Sequence, residues 1–211
     1  MLFRSSDGGV FAFGQSGGFF GSLPGLGVHP NLPVVGMAPT TGFEGYFLAA
    51  RDGGVFSFGD APFENSLPGQ GVHVTNIVGL APTADDRGYW LVGADGTVHA
   101  FGDAHNFGGA AGQNSKPFVG IIGTHDGGGY WLVAADGAVH PFGDATSFGS
   151  LPALGISVDN IVSIVPTGDG QGYWLIGSDG GIFAFGDAGW VGSLPGLGVH
   201  ASNIIGAAPV E

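Results

Sequence analysis

An all-β fold, a five-bladed β-propeller, is predicted by three observations on this sequence. Its 211 residues hold five tandem copies of one unit, each as long as a propeller blade. Every copy carries an Asp-Gly pair at a fixed place, a strong short signal for a hairpin. Apolar and aromatic residues line both faces of the segment before each pair, as a strand packed between two neighbours requires.

The repeat is read from its clearest copy, Gly88-Tyr89-Trp90-Leu91-Val92-Gly93-Ala94-Asp95-Gly96-Thr97-Val98-His99-Ala100-Phe101-Gly102-Asp103. Its Asp-Gly pair recurs at Asp7, Asp52, Asp95, Asp136 and Asp179, with periods of 45, 43, 41 and 43 residues. Six residues after each Asp stands a Phe followed by Gly: Phe13, Phe58, Phe101, Phe142 and Phe185. A second block, Asn76-Ile77-Val78-Gly79-Leu80-Ala81-Pro82-Thr83, has counterparts at 33–40, 117–124, 160–167 and 203–210. This block predicts the innermost strand of a four-stranded blade. The Tyr-Trp-Leu-Val segment predicts the second strand, starting near residues 1, 46, 89, 130 and 173. The residues after Asp-Gly predict the third strand, and the short Phe-Gly-Ser region the outermost. Length varies only between the Phe-Gly pair and the next inner block, which marks a surface loop.

The phase of the repeat predicts closure within one domain spanning residues 1–211. The chain begins on a second strand at Met1-Leu2-Phe3 and ends on an inner strand at Ile204-Ile205-Gly206. The C-terminal inner strand is therefore expected to complete the N-terminal blade, leaving no open sheet edge. A solenoid would instead need polar capping repeats at its ends.

Composition excludes several function classes. The formal net charge is −13, with only Arg4, Arg51, Arg87 and Lys116 as basic residues. A nucleic-acid partner needs clustered Lys and Arg to neutralise phosphates, and none are clustered here. Apolar runs are far shorter than the ~20 residues that span a bilayer, so no membrane insertion is expected. There is no Cys, hence no thiolate chemistry and no Cys-ligated metal. The N-terminus lacks the basic-then-apolar layout of a signal peptide and already belongs to a repeat.

At Gly-Tyr-Trp-Leu-Val, Asp-Gly-Gly-Val-Phe-Ala-Phe-Gly-Asp and Leu-Pro-Gly-Leu-Gly-Val-His, the chain resembles tandem propeller repeats of secreted and cell-surface bacterial proteins. In blade number and blade length it is also similar to the five-bladed lectins of the tachylectin type. The resemblance implies an extracellular or cell-surface location, a monomeric domain, and a glycan or cell-surface protein as partner.

No catalytic constellation stands out. A glycosidase propeller needs two or three carboxylates converging from the inner strands, and the five inner blocks contain neither Asp nor Glu. No cofactor and no metal site are expected. Asp60, Asp103, Asp144 and Asp187, and Asp85, Asp86, Asp126 and Asp169, fit turn residues that accept local backbone N–H groups better than a calcium cage. His99 and His140 take a third-strand slot filled elsewhere by Phe, which points to packing. The binding candidates are His29, His73 and His200 in equivalent loops, with Asn76, Asn160 and Asn203, whose side chains offer donors and acceptors to hydroxyl groups. Trp190, in the variable outer segment where Phe63, Phe107 and Phe148 sit in other copies, is a candidate stacking platform for a sugar ring. The expected function is a non-enzymatic, multivalent carbohydrate- or protein-binding module. The alternatives are a purely structural scaffold and, less favoured by the residues, a glycosidase.

Overall fold

A computed structural model describes residues 2–13 and 18–206. These residues form an all-β chain of short antiparallel strands in five small sheets. The strands are β1 (Leu2–Arg4), β2 (Val10–Ala12), β3 (Val34–Pro39), β4 (Gly45–Ala50), β5 (Val55–Gly59), β6 (Ile77–Pro82) and β7 (Gly88–Gly93). They continue with β8 (Val98–Gly102), β9 (Phe118–Gly123), β10 (Gly129–Ala134), β11 (Val139–Gly143), β12 (Ile161–Pro166), β13 (Gly172–Gly177) and β14 (Ile182–Gly186). Contacts divide the chain into two compact units, Met1–Ala94 with Val98–Asn106, and Asp95–Thr97 with Phe107–Glu211.

In the first unit, sheets β3-β4-β5 and β6-β7-β8 have the second strand of the repeat in the middle, flanked by the inner and third strands. The register is the same in both: Tyr46 pairs with Phe58 and Pro39, and Tyr89 with Phe101 and Pro82. Every residue of β4 and β7 is buried, which accounts for their unbroken apolar runs, each large side chain contributing about 1.5–3 kcal/mol. The inner strands carry a bulge at one place, opposite the end of the middle strand, at Val35 and Val78. Successive sheets are stitched by a backbone bond from the start of an inner strand to the preceding hairpin, Val34 N–H to Ser6 C=O at 2.8 Å and Ile77 N–H to Arg51 C=O at 3.1 Å.

The second unit repeats this plan in β9-β10-β11 and β12-β13-β14. Tyr130 pairs with Phe142, and Tyr173 with Phe185. The stitch recurs as Ile161 N–H to Ala135 C=O and Ile204 N–H to Ser178 C=O, both 3.0 Å.

One expectation is corrected. Among the described residues the complete sheets have three strands, not four, because the outermost strand does not form. The residue that would lie in its middle has a positive φ in every repeat: 134° at Gly21, 97° at Asn65, 118° at Gly108, 121° at Gly149 and 92° at Gly192. Such a backbone turns away from a strand ladder, and in four of the repeats its carbonyl accepts a tyrosine hydroxyl. Tyr46 donates its hydroxyl to Gly21 C=O, Tyr89 to Asn65, Tyr130 to Gly108 at 2.6 Å and Tyr173 to Gly149 at 2.5 Å. The outer segment then ends in one turn of 3-10 helix in four of the five repeats, Pro24–Leu26, Pro68–Gln70, Pro152–Leu154 and Pro195–Leu197.

Among the described residues, the first sheet consists of β1 and β2 alone. Residues 203–206 of its expected inner strand are not in a strand, and 207–210 lie outside the described residues. Phe3 is accordingly 52% exposed, whereas its counterparts Leu48, Leu91, Leu132 and Leu175 are fully buried.

Candidate functional site

The end of each sheet that carries the Asp-Gly hairpin is built the same way. The Gly takes a left-handed φ of 76° to 84° at Gly8, Gly53, Gly96, Gly137 and Gly180. The Asp carboxylate accepts the N–H two residues on, as in Asp52 Oδ1 with Gly54 at 2.9 Å and Asp179 Oδ1 with Gly181 at 2.9 Å. The hairpin Gly carbonyl in turn accepts an N–H from the loop that follows the sheet: Leu23, Leu67, Ala110, Leu151 and Leu194, at 2.9–3.2 Å. All five loops are thereby folded back onto their hairpins. A Cβ on Gly53 would lie 2.5 Å from Leu67 Cδ1, so the hairpin needs Gly both for its φ and for this close approach.

This geometry brings some of the candidate residues to the hairpin end and leaves others apart. His29 lies beside Asp7, whose carboxyl is held below the usual aspartate range by the Ser5 hydroxyl first, then the Gly9 amide, with a smaller attraction from His29. His73 and His200 are exposed in the corresponding loops. Asn76 and Asn160 sit where the inner strand meets its own hairpin, their carbonyls accepting the Ala94 and Ser178 N–H groups at 2.8 Å. Asn203 is exposed. Among the described residues, no three His, Asp or Glu side chains form a group that could hold a metal ion.

Trp190 is 71% exposed, but its structural counterparts differ from those expected. Measured from the Leu that bonds the hairpin, it shares its place with Phe19 and Phe63, both also exposed. Phe107 and Phe148 stand one residue later and pack against Tyr130 and Tyr173, with ring centres 5.7 Å apart. The strand tryptophans are structural: Trp90, Trp131 and Trp174 donate their indole N–H to the carbonyls of His105, Thr146 and Gly189 at 2.7–2.8 Å.

One feature at the hairpin end escaped the sequence reading. A cleft of about 570 Å³ lies between Ser115 and Lys116, Asp136 of the β10–β11 turn, and the loop Pro152, Gly155, Ile156, Ser157, Val158 and Asp159. Lys116 Nζ stands 3.7 Å from Asp159 Oδ2 across it. The signal available in the sequence was Lys116, the sole lysine of the chain, one repeat away from Asp159 at the equivalent position.

The opposite end of the sheets carries the remaining aspartates. Thr83 Oγ1 lies 3.0 Å from Asp85 Oδ1 and 3.4 Å from Asp103 Oδ1, and Thr124 Oγ1 lies 2.9 Å from Asp126 Oδ1 and 3.3 Å from Asp144 Oδ1. Asp85, Asp126 and Asp169 accept the N–H groups of Arg87, Gly128 and Gln171, which is the largest of the influences holding each carboxyl below its ordinary value. Asp85, Asp126 and Asp169 close turns, as their positions in the sequence predict. The expectation is corrected for Asp86, which accepts the Thr41 N–H of the preceding repeat at 2.8 Å, and for Asp60, Asp103 and Asp144, which accept threonine hydroxyls 20 residues away.

No protein-family model matches the chain, and no curated protein matches it.

Proposed function

We propose that this chain is a non-enzymatic binding module of the cell surface or extracellular space that holds carbohydrate or protein through weak, repeated sites at the hairpin ends of its sheets. One observation carries the reading: the hairpin carbonyl to loop amide bond, repeated five times, holds an exposed loop on the same support in every repeat. An exposed loop positioned by a rigid support is the usual arrangement of binding surfaces. Weak equivalent sites gain strength by avidity. In the proposed architecture the five sheets are the blades of one closed propeller, with residues 203–210 pairing with β1; the phase of the repeat and the uncovered Phe3 support it. The absence of Asp and Glu from all five inner blocks argues against a glycosidase.

A glycan array probed with the whole chain and with the double variant His73→Ala, His200→Ala tests the reading. Retention of glycans by the parent, weakened in the variant, is expected. If the chain retains neither glycan nor surface protein, a purely structural scaffold replaces it.

A further inference from the structure

We infer that the cleft between Asp136, Lys116 and the Pro152–Asp159 loop is a single saccharide site, selective for uncharged, polyhydroxylated rings. The inference rests on the binding-module reading and adds the ligand class and a location that the repeat does not provide.

The first argument is asymmetry. Lys116 and Asp159 occupy the same position in successive repeats, immediately before the residue that leads into the inner strand, and the other copies have Leu32, Thr75 and Ser202 there. Only at this junction do neighbouring repeats present opposite charges. Lys116 and Asp159 form a solvent-exposed pair, their side chains 44% and 75% exposed. Such pairs contribute little to stability, so a ligand can replace either partner at small cost.

The second argument is the chemistry of the walls. Asp136 Oδ1 is occupied by the Ala138 N–H at 3.0 Å and by Asn114 Nδ2 at 3.2 Å, which fixes the carboxylate. Its Oδ2 takes no bond from the described residues and is left as an acceptor. Lys116 is a donor, the hydroxyls of Ser115 and Ser157 act either way, and Pro152, Ile156 and Val158 supply an apolar wall. A sugar ring matches this alternation with vicinal hydroxyls that donate and accept and with a C–H face for the apolar side.

The third argument is charge. Two carboxylates in the lining, within a chain of net charge −13, oppose an anionic ligand. The same charge attracts a cation, but a lysine or arginine side chain only donates and leaves the Lys116 ammonium without an acceptor. A neutral ring whose hydroxyls both donate and accept satisfies the carboxylates and the ammonium together.

The test is an NMR titration of the full chain with methyl glycosides of neutral hexoses, with glucuronate and glucosamine as charged counterparts and oligolysine as a peptide probe. It is run on the parent, on Asp136→Asn and Lys116→Met, and on Arg87→Ala, an exposed residue outside every proposed site, as control. Asp136→Asn keeps an oxygen for the Ala138 N–H, so its turn should persist, and amide spectra report whether each variant is folded. The expected result is that a neutral glycoside shifts the amides around residues 115–116, 136 and 155–159, without sensitivity to added salt. Its Kd should weaken at least tenfold in Asp136→Asn and Lys116→Met and stay unchanged in the Arg87→Ala control. Glycosides that bind only at the histidine loops would overturn the cleft while leaving the binding module standing. Preferential, salt-sensitive binding of glucuronate, glucosamine or oligolysine in the cleft would overturn the ligand class. No glycoside shifting any residue would overturn the cleft, and the array then decides the broader reading separately.

Discussion

Arg4 shows how one residue departs from the repeat and is accommodated. It stands where the other copies place Ala49, Val92, Val133 and Ile176, yet it is half-buried. Its guanidinium donates to Val34 C=O at 2.8 Å and to Val35 C=O, capping the carbonyls beside the β3 bulge. Five donors on a rigid fork suit this better than an ammonium, so Arg4→Lys should lower stability, read as a drop in Tm. Gly53 illustrates the opposite constraint. Gly53→Ala forces a Cβ against Leu67 at a φ of 77°. A loss on the order of 2 kcal/mol is expected in urea unfolding, combining the left-handed backbone penalty with the clash. At Tyr89 the ring is fully buried and the hydroxyl bonds Asn65 C=O. The hydroxyl also accepts the Glu64 N–H at 3.3 Å, so Tyr89→Phe removes two bonds and should cost about 1–3 kcal/mol by the same measurement.

The hairpins and loops titrate as elements. Tyr89 and Tyr173 are pushed up to about 12 from an ordinary 10.0, chiefly by burial. Above the ordinary value the unfolded chain loses these protons while the folded chain keeps them, so folding takes a rising penalty as pH climbs. Tm is therefore expected to hold below pH 10 and to fall between 10 and about 12, with tyrosinate absorbance appearing together with unfolding. The aspartate turns act at the other end of the scale. Asp85, Asp126 and Asp169 are held below 3.8 in the folded chain, so their contribution is present above the ordinary aspartate range and is lost as pH falls through it. A thermal scan at decreasing pH should show Tm declining from that range downward. The element that sequence reasoning misjudged is the outer segment. Its Phe-Gly-Ser stretch looks like a short strand, but the Gly is there for positive φ, and its carbonyl serves a tyrosine hydroxyl in the next sheet.

For the whole molecule, the proposed ring makes a direct prediction about its ends. Deleting residues 203–211 removes the strand proposed to cover β1, the strand in which Phe3 is already 52% exposed. An uncovered edge with an apolar face invites association, so the truncated chain is expected to unfold at lower temperature and to self-associate in size-exclusion chromatography. An unchanged Tm would remove the proposed closure.

By itself the sequence determined the all-β class, the five copies, the identity of the inner, middle and third strands, and the hairpin at each Asp-Gly. These follow from local periodicity, fixed spacing and turn chemistry, all carried by residues close together in the chain. The tertiary structure alone decided which carbonyl each tyrosine and tryptophan reaches, why the fourth strand is missing, and that Lys116, Asp136 and Asp159 face one cleft. Those relations join residues 15 to 43 positions apart, and no local pattern encodes them. They depend on how one sheet packs on the next.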